Sequence, residues 1–298
     1  DLRADRQPEH TQIDFEMSFF EQEDIRTLVE GMVQHTFKKA FNIDVKTPFP
    51  SFSYKEAMDR YGSDKPDIRF DLFLTDVSDI VKDSDFGVFK SVVEGGGVVK
   101  AINPPADMGR KDLDNYINFA QENGAKGLAW MRVTEDLDLD SNIAKYFSDD
   151  IKKKLVEQIK PKPESVLMFI ADKPKVANAV LDRIRRKLGA DLKLYKDNDF
   201  KFCWVNDFPL FSWNADENRW EPEHHIFSMP KKEFIKSMEE KPGEVLGDLW
   251  DLTLNGWEMG SGSIRVSNPE IQKKLFNIIG MTDSEAEEKF GFLLKAYK

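Results

Sequence analysis

The chain is 298 residues long, 40% hydrophobic and 33% charged, with a formal net charge of -11. Such a composition belongs to a globular protein with a sizeable core, organised as one large domain or two modest ones, and the acidic balance argues against broad, non-specific attraction to nucleic acid. Cys203 is the single cysteine, which excludes an intrachain disulfide framework; no apolar run is long enough to span a bilayer and no signal peptide is evident, so the expected location is the cytoplasm.

The first patterned stretch, HTQIDFEMSFF, alternates. His10, Gln12, Asp14, Glu16 and Ser18 fall on one side and Thr11, Ile13, Phe15, Met17 and Phe19 on the other, which predicts a strand. Its polar face suits either a solvated sheet surface or the floor of a polar substrate cleft. QEDIRTLVEGMVQHTFKKAF then spaces Ile25, Leu28, Val29, Met32, Val33, Phe37 and Phe41 as a helix expected to cover the apolar face of that strand, with His35 on the solvated side. KTPFPSF ends this unit, and YKEAMDRYG reads as a short helix stopped by Gly62.

Past SDKPDIRF the pattern changes. From 71 to 198, short strands (GVVKAI, GLAWMRV, SVLMFIA) alternate with helices (RKDLDNYINFAQENG, SDDIKKKLVEQIK, PKVANAVLDRIRRKLG), which predicts a separate α+β unit inserted between 1–70 and 199–298. EGGGVVK lacks the spacing of a phosphate-binding loop and reads as a turn entering a strand. DFKFCWVNDFPLFSW is apolar enough for a central strand buried on both faces. In EHHIFSMP, adjacent histidines on a strand point to opposite faces, so His224 and His225 are not expected to chelate one metal; one is packed while the other enters a cleft.

DLTLNGWEMGSGSIR, residues 251–265, is the most informative stretch. Asn255-Gly256 predicts a two-residue hairpin turn that sets Leu254 opposite Trp257 and Thr253 opposite Glu258. Asp251 and Glu258 then share a face, within reach of one cation. They are either ordinary acids on a wet surface or a hard-cation site of the kind magnesium prefers. Gly260 and Gly262 allow close approach of another molecule or backbone, and one bulge near them would turn Arg265 to the side of the acids. NPEIQKKLFNIIG has an Asn cap, a Pro start and a Gly stop, and TDSEAEEKFGFLLKAYK is a further helix capped by Thr282 or Asp283.

Together these motifs resemble bacterial-type aspartyl-tRNA synthetases of class II, from end to end. DLRADRQPEHTQID resembles the latter part of the second class II motif, and YGSDKPDIRF the passage into a GAD-type insertion domain. FPLF and HHIFSMP resemble the middle signatures, and DLTLNGWEMGSGSIR the substrate-binding hairpin. The fold implied is α+β, an antiparallel sheet flanked by helices and interrupted by a smaller α+β insertion at 71–198.

The resemblance implies an aminoacyl-tRNA ligase that activates L-aspartate with ATP and Mg2+ and transfers it to tRNA. Gln7 would contact ATP and His10 would stack on adenine, where the family usually has Phe. Gln12 lies on the polar face with Asp14, which would meet the substrate ammonium group. His224 would approach the amino acid, in a motif where Ile226 replaces the family's usual Pro. Asp251 and Glu258 would hold magnesium and ATP, and Arg265 would pair with the aspartate side-chain carboxylate. The start of the second motif and all of the first and third would lie outside the chain. It is therefore expected to be an inactive fragment of a homodimeric, membrane-free parent. The alternatives are a non-catalytic amino-acid or nucleotide sensor derived from a synthetase, and a related ATP-dependent amidating enzyme, against which the large insertion weighs.

Overall fold

The computed structural model describes residues 9–296. In chain order its helices and strands begin with α1 (Gln22–Phe41), β1 (Ser51–Ser53), α2 (Tyr54–Tyr61), β2 (Leu74–Asp76), α3 (Ser78–Val81), α4 (Gly87–Glu94) and β3 (Val98–Ile102). There follow α5 (Arg110–Glu122), β4 (Ala129–Val133), β5 (Leu139–Asp140), α6 (Asp149–Ile159), β6 (Ser165–Asp172) and α7 (Pro174–Asp191). The chain closes with β7 (Phe202–Asn206), β8 (Phe211–Asn214), β9 (Arg219–Pro222), β10 (Leu249–Leu254), β11 (Trp257–Ser263), α8 (Pro269–Ile278) and α9 (Asp283–Ala296). Two compact units divide it: Asp1–Tyr54 with Phe202–Lys298, and Lys55–Lys201.

The Lys55–Lys201 unit is a three-layer sandwich around an antiparallel sheet of order β2-β3-β6-β4-β5. Alternation along β6 sends Met168 and Ile170 to the side of α5 and α7, where they meet Leu113, Leu181 and Ile184. Leu167 and Phe169 point the other way, among Phe89, Ile151 and Leu155 of α4 and α6. The three expected strands and three expected helices are all present. The glycines of EGGGVVK form the turn from α4 into β3. The short α3 and α4 carry too few residues to show a period.

This unit begins at Lys55, ahead of the pattern change at 71, and Phe70 belongs to its core together with Leu72. Their carbonyls accept from the fully buried Arg185, at 2.8 Å to Nη2 and 2.6 Å to Nε. Burial holds that guanidinium down to about 10, below the ordinary arginine value.

In the other unit the sheet order is β1-β7-β10-β11, with β1 and β7 parallel and the remaining pairs antiparallel. β7 is central, as its apolar run requires, and Phe202–Val205 are buried. The run ends where Asp207 turns to φ 59, and β8 pairs with β9 as a separate ribbon. α1 docks on the sheet through Phe37, whose ring lies 5.3 Å from that of Phe202. Buried Glu30 joins it, accepting from Trp204 Nε1 and Phe49 N, each at 2.9 Å.

The expected strand at 10–20 is not formed. No backbone hydrogen bond of residues 10–19 occurs among the described residues, and Ile13 and Phe19 are 71% and 107% exposed. A strand requires a neighbour to complete its ladder, and β1 and β11, at the sheet edges, do not supply it. Accordingly α1 forms at its expected residues but does not cover this segment, and Leu28 and Met32 remain exposed.

At the C-terminal end Asn268 Oδ1 caps α8 by accepting from Glu270 N at 2.8 Å, and Gly280 closes the turn at φ 73. Thr282 is the cap of α9, in a reciprocal box with Glu285. The two helices meet through Phe276 and Phe290, whose stacked rings are 6.1 Å apart. No helix among the described residues is long and apolar enough to cross a membrane.

Candidate active site

Asn255 and Gly256 adopt φ 52 and 88, the left-handed values of a tight hairpin turn. Leu254 pairs with Trp257 and Thr253 with Glu258. The ladder then slips: Leu252 pairs with Gly260, so Met259 is the extra residue of a bulge. The bulge therefore precedes the glycines rather than falling among them. Gly262 has a different reason to be glycine, since a Cβ there would come within 2.8 Å of the Trp250 indole. Gly260 faces open space.

Because of the slip, Asp251 pairs with Ser261 and Leu249 with Ser263, and the alternation carries Arg265 to the Asp251 side. Asp251 is buried, two residues along β10 from Thr253, which faces Glu258, and the two acids share a face. The same face carries Thr253 and Cys203, joined at 2.9 Å between Oγ1 and Sγ. Among the described residues no three His, Cys, Asp or Glu side chains gather at one point.

Arg265 is met by His225. Its Nη1 lies 2.7 Å from His225 Nε2, Ser263 Oγ is 3.4 Å from that same nitrogen, and Ser228 Oγ is 3.5 Å from Nδ1. A guanidinium only donates, and Nη1 also lies 3.2 Å from Nδ1, so hydrogen bonding here requires an unprotonated ring nitrogen and a neutral ring. Partial desolvation, then the Arg265 charge and His224, push the His225 imidazole below its ordinary value, consistent with that state. On its other edge, Arg265 Nε donates to Glu16 Oε1 at 3.3 Å. The guanidinium thus sits between a neutral acceptor and an exposed carboxylate, an arrangement suited to exchanging one carboxylate partner for another.

The histidines diverge as expected, although in a bend rather than a strand. His224 is half-buried, its ring edge-on to Phe208 at 5.1 Å. His225 is the one beside Arg265, and its role was not legible from adjacency alone. Glu16 was equally hidden, one of five alternating polar residues. His10, Gln12 and Asp14 are exposed, while Gln7 lies outside the described residues.

The candidate site is thus a bulged hairpin on an α+β scaffold that presents an arginine to a carboxylate, with two acids on the same face. The family profile of class II tRNA synthetases (D, K and N) matches residues 1–298, and the chain belongs to that family. It is 46% identical over 302 residues to the aspartate–tRNA(Asp/Asn) ligase of Treponema denticola, covering 100% of this chain and 51% of that protein. With the aspartate–tRNA ligase of Bacillus licheniformis it shares 48% identity over 300 residues, covering 100% of this chain and 50% of the relative. The chain spans about half the length of the curated relatives it matches.

Proposed function

We propose that the chain is the aspartate-recognising part of an ATP-dependent aspartate–tRNA ligase. The observation that carries this reading is Arg265, presented by the bulged hairpin beside a neutral His225 and already engaged by a carboxylate. Arg265 would pair with the side-chain carboxylate of L-aspartate, displacing Glu16, and Asp14 would meet the ammonium group. Gln12 and His224 would complete the amino-acid pocket. Gln7 would contact ATP, and His10 would stack on adenine.

Asp251 and Glu258 offer hard oxygen donors from one face of the hairpin, a donor set that fits magnesium, whose other positions would go to phosphate and water. Bound there, Mg2+ would neutralise charge on the ATP phosphates. The aspartate α-carboxylate, already a nucleophile, attacks the α-phosphate of ATP. The bond to pyrophosphate breaks, and aspartyl-adenylate is ready for transfer to the tRNA end. No general base is required, so the residues act by orientation and charge.

Residues 71–198, within the Lys55–Lys201 unit, would be the GAD-type insertion. The parent would be a cytoplasmic homodimer, and the chain alone inactive. The test is aspartate-dependent exchange of pyrophosphate into ATP by this chain and by the product of the complete reading frame. Exchange by the complete product only is expected. Exchange by this chain would refute its inactivity, and exchange by neither would favour an amino-acid sensor.

A further inference from the structure

The turn that carries His225 has each of its carbonyls engaged. His225 O accepts from Ser228 N at 3.3 Å, Ile226 O from Gln272 Nε2 at 3.1 Å, and Phe227 O from Val266 N at 2.9 Å. Two of these donors are main-chain groups, and the third is a side chain of α8. Ser228 forms a bridge with Arg265, and its hydroxyl lies 3.5 Å from His225 Nδ1. The turn is therefore held to the Arg265 segment on one side and to α8 on the other.

Gln272 is only 2% exposed and stands with Leu275 and Phe276 on the buried side of α8. At that helical spacing an apolar residue is the ordinary occupant. Only the amide nitrogen can donate to a carbonyl, so Nε2 faces Ile226 O, and Oε1 is left buried with no hydrogen-bond partner among the described residues. An unpaired buried acceptor is unfavourable, and a leucine would remove it, so packing alone does not account for the amide. We propose that Gln272 is a positioning residue: by holding the Ile226 carbonyl it sets the 225–228 turn, and with it the His225 ring, against Arg265. The inference rests on the reading of Arg265 as the aspartate-binding residue.

Gln272→Leu and Gln272→Met remove the donor while nearly conserving the volume of the side chain. Each leaves Ile226 O without its partner, and each also removes the orphaned Oε1, so the two effects on stability oppose one another. The thermal midpoint should therefore stay within about 3 °C of that of the unmodified protein. The carbonyls of His225 and Phe227 keep their main-chain donors, so the turn persists but is freer to move away from Arg265.

The experiment measures aspartate-dependent pyrophosphate exchange by the complete gene product carrying Gln272→Leu, with Gln272→Met as a second variant and Arg265→Lys as the control. Each Gln272 variant should raise KM for aspartate about 3- to 10-fold, the scale of one lost hydrogen bond, with KM for ATP and kcat within about twofold of the unmodified protein. An unchanged KM for aspartate in a variant that keeps its midpoint would overturn the proposal. A common loss of kcat and of both affinities in the two variants, with lowered midpoints, would also overturn it, because Gln272 would then serve only the fold. If Arg265→Lys itself leaves KM for aspartate unaltered, the assignment of Arg265 is what fails. If Arg265→Lys raises it and the Gln272 variants do not, only the positioning role fails.

Discussion

In the hairpin β10–β11 the ladder is continued on one side by β7 and closed on the other by the turn, and the apolar side chains Leu249, Trp250 and Leu252 are buried. The segment His10–Phe19 has the same two-residue alternation and no such neighbour among the described residues, and Ile13, Phe15, Met17 and Phe19 all lie exposed. The contrast teaches that alternation specifies which face of a strand is apolar but not that a strand will form. Each ladder bond needs a second chain segment at the right distance, and burial of the apolar face follows only after that pairing.

Hydrogen exchange gives the largest expected difference between the two regions. Amides of β7 and β10 should exchange at least about 1,000-fold more slowly than those of 10–19 in the chain 1–298, relative to their intrinsic rates. Equal protection would break the comparison. Deleting Met259 should come next: the pairs Leu252–Gly260 and Asp251–Ser261 survive it, so Arg265 keeps its face, but the local bend and twist of the bulge that aim it at His225 are lost. In the complete gene product kcat/KM for aspartate is expected to fall about 100-fold, measured by pyrophosphate exchange. An unaltered value would show that the bulge does not aim Arg265.

Gly262→Val sharpens the contrast in stability. Its Cβ would press on the Trp250 indole, and overpacking of this kind costs about 1–3 kcal/mol, read from urea denaturation. Ile13→Ser, at an exposed position, should stay within about 0.5 kcal/mol of the parent. The smallest effect is on pH. His225 titrates below its unfolded value, so between the ordinary 6.5 and the lowered folded value the unfolded chain binds more protons. Stability therefore declines as pH falls through that window. His225→Gln should flatten this slope in a series of melts, and a slope that persists unchanged would assign it elsewhere.

Much of the insertion unit was legible because its signals are local. SVLMFIA, flanked by helices of clear period, reads as a strand, and it became β6, which the structure shows to be covered on both faces. The start ahead of 71 was less legible, since the Phe70 carbonyl is held there by Arg185, more than a hundred residues away. In the candidate site the Asn255-Gly256 turn, the pairing beside it and a bulge near the glycines were read directly, but not which residue is the extra one. Met259 carries no mark of being the unpaired one, and the register on either side of it is set by β10.

The sequence by itself determined the elements whose causes lie within a few residues: the Asn268 and Thr282 caps, the left-handed turn and the period of α1. It also carried the family, through motifs spread along the whole chain. Only the tertiary structure decided that His225 rather than His224 meets Arg265, that Glu16 reaches the same guanidinium, and that 10–19 finds no strand partner among the described residues. Those outcomes depend on which distant segments supply hydrogen bonds and exclude water, and no local propensity encodes that choice.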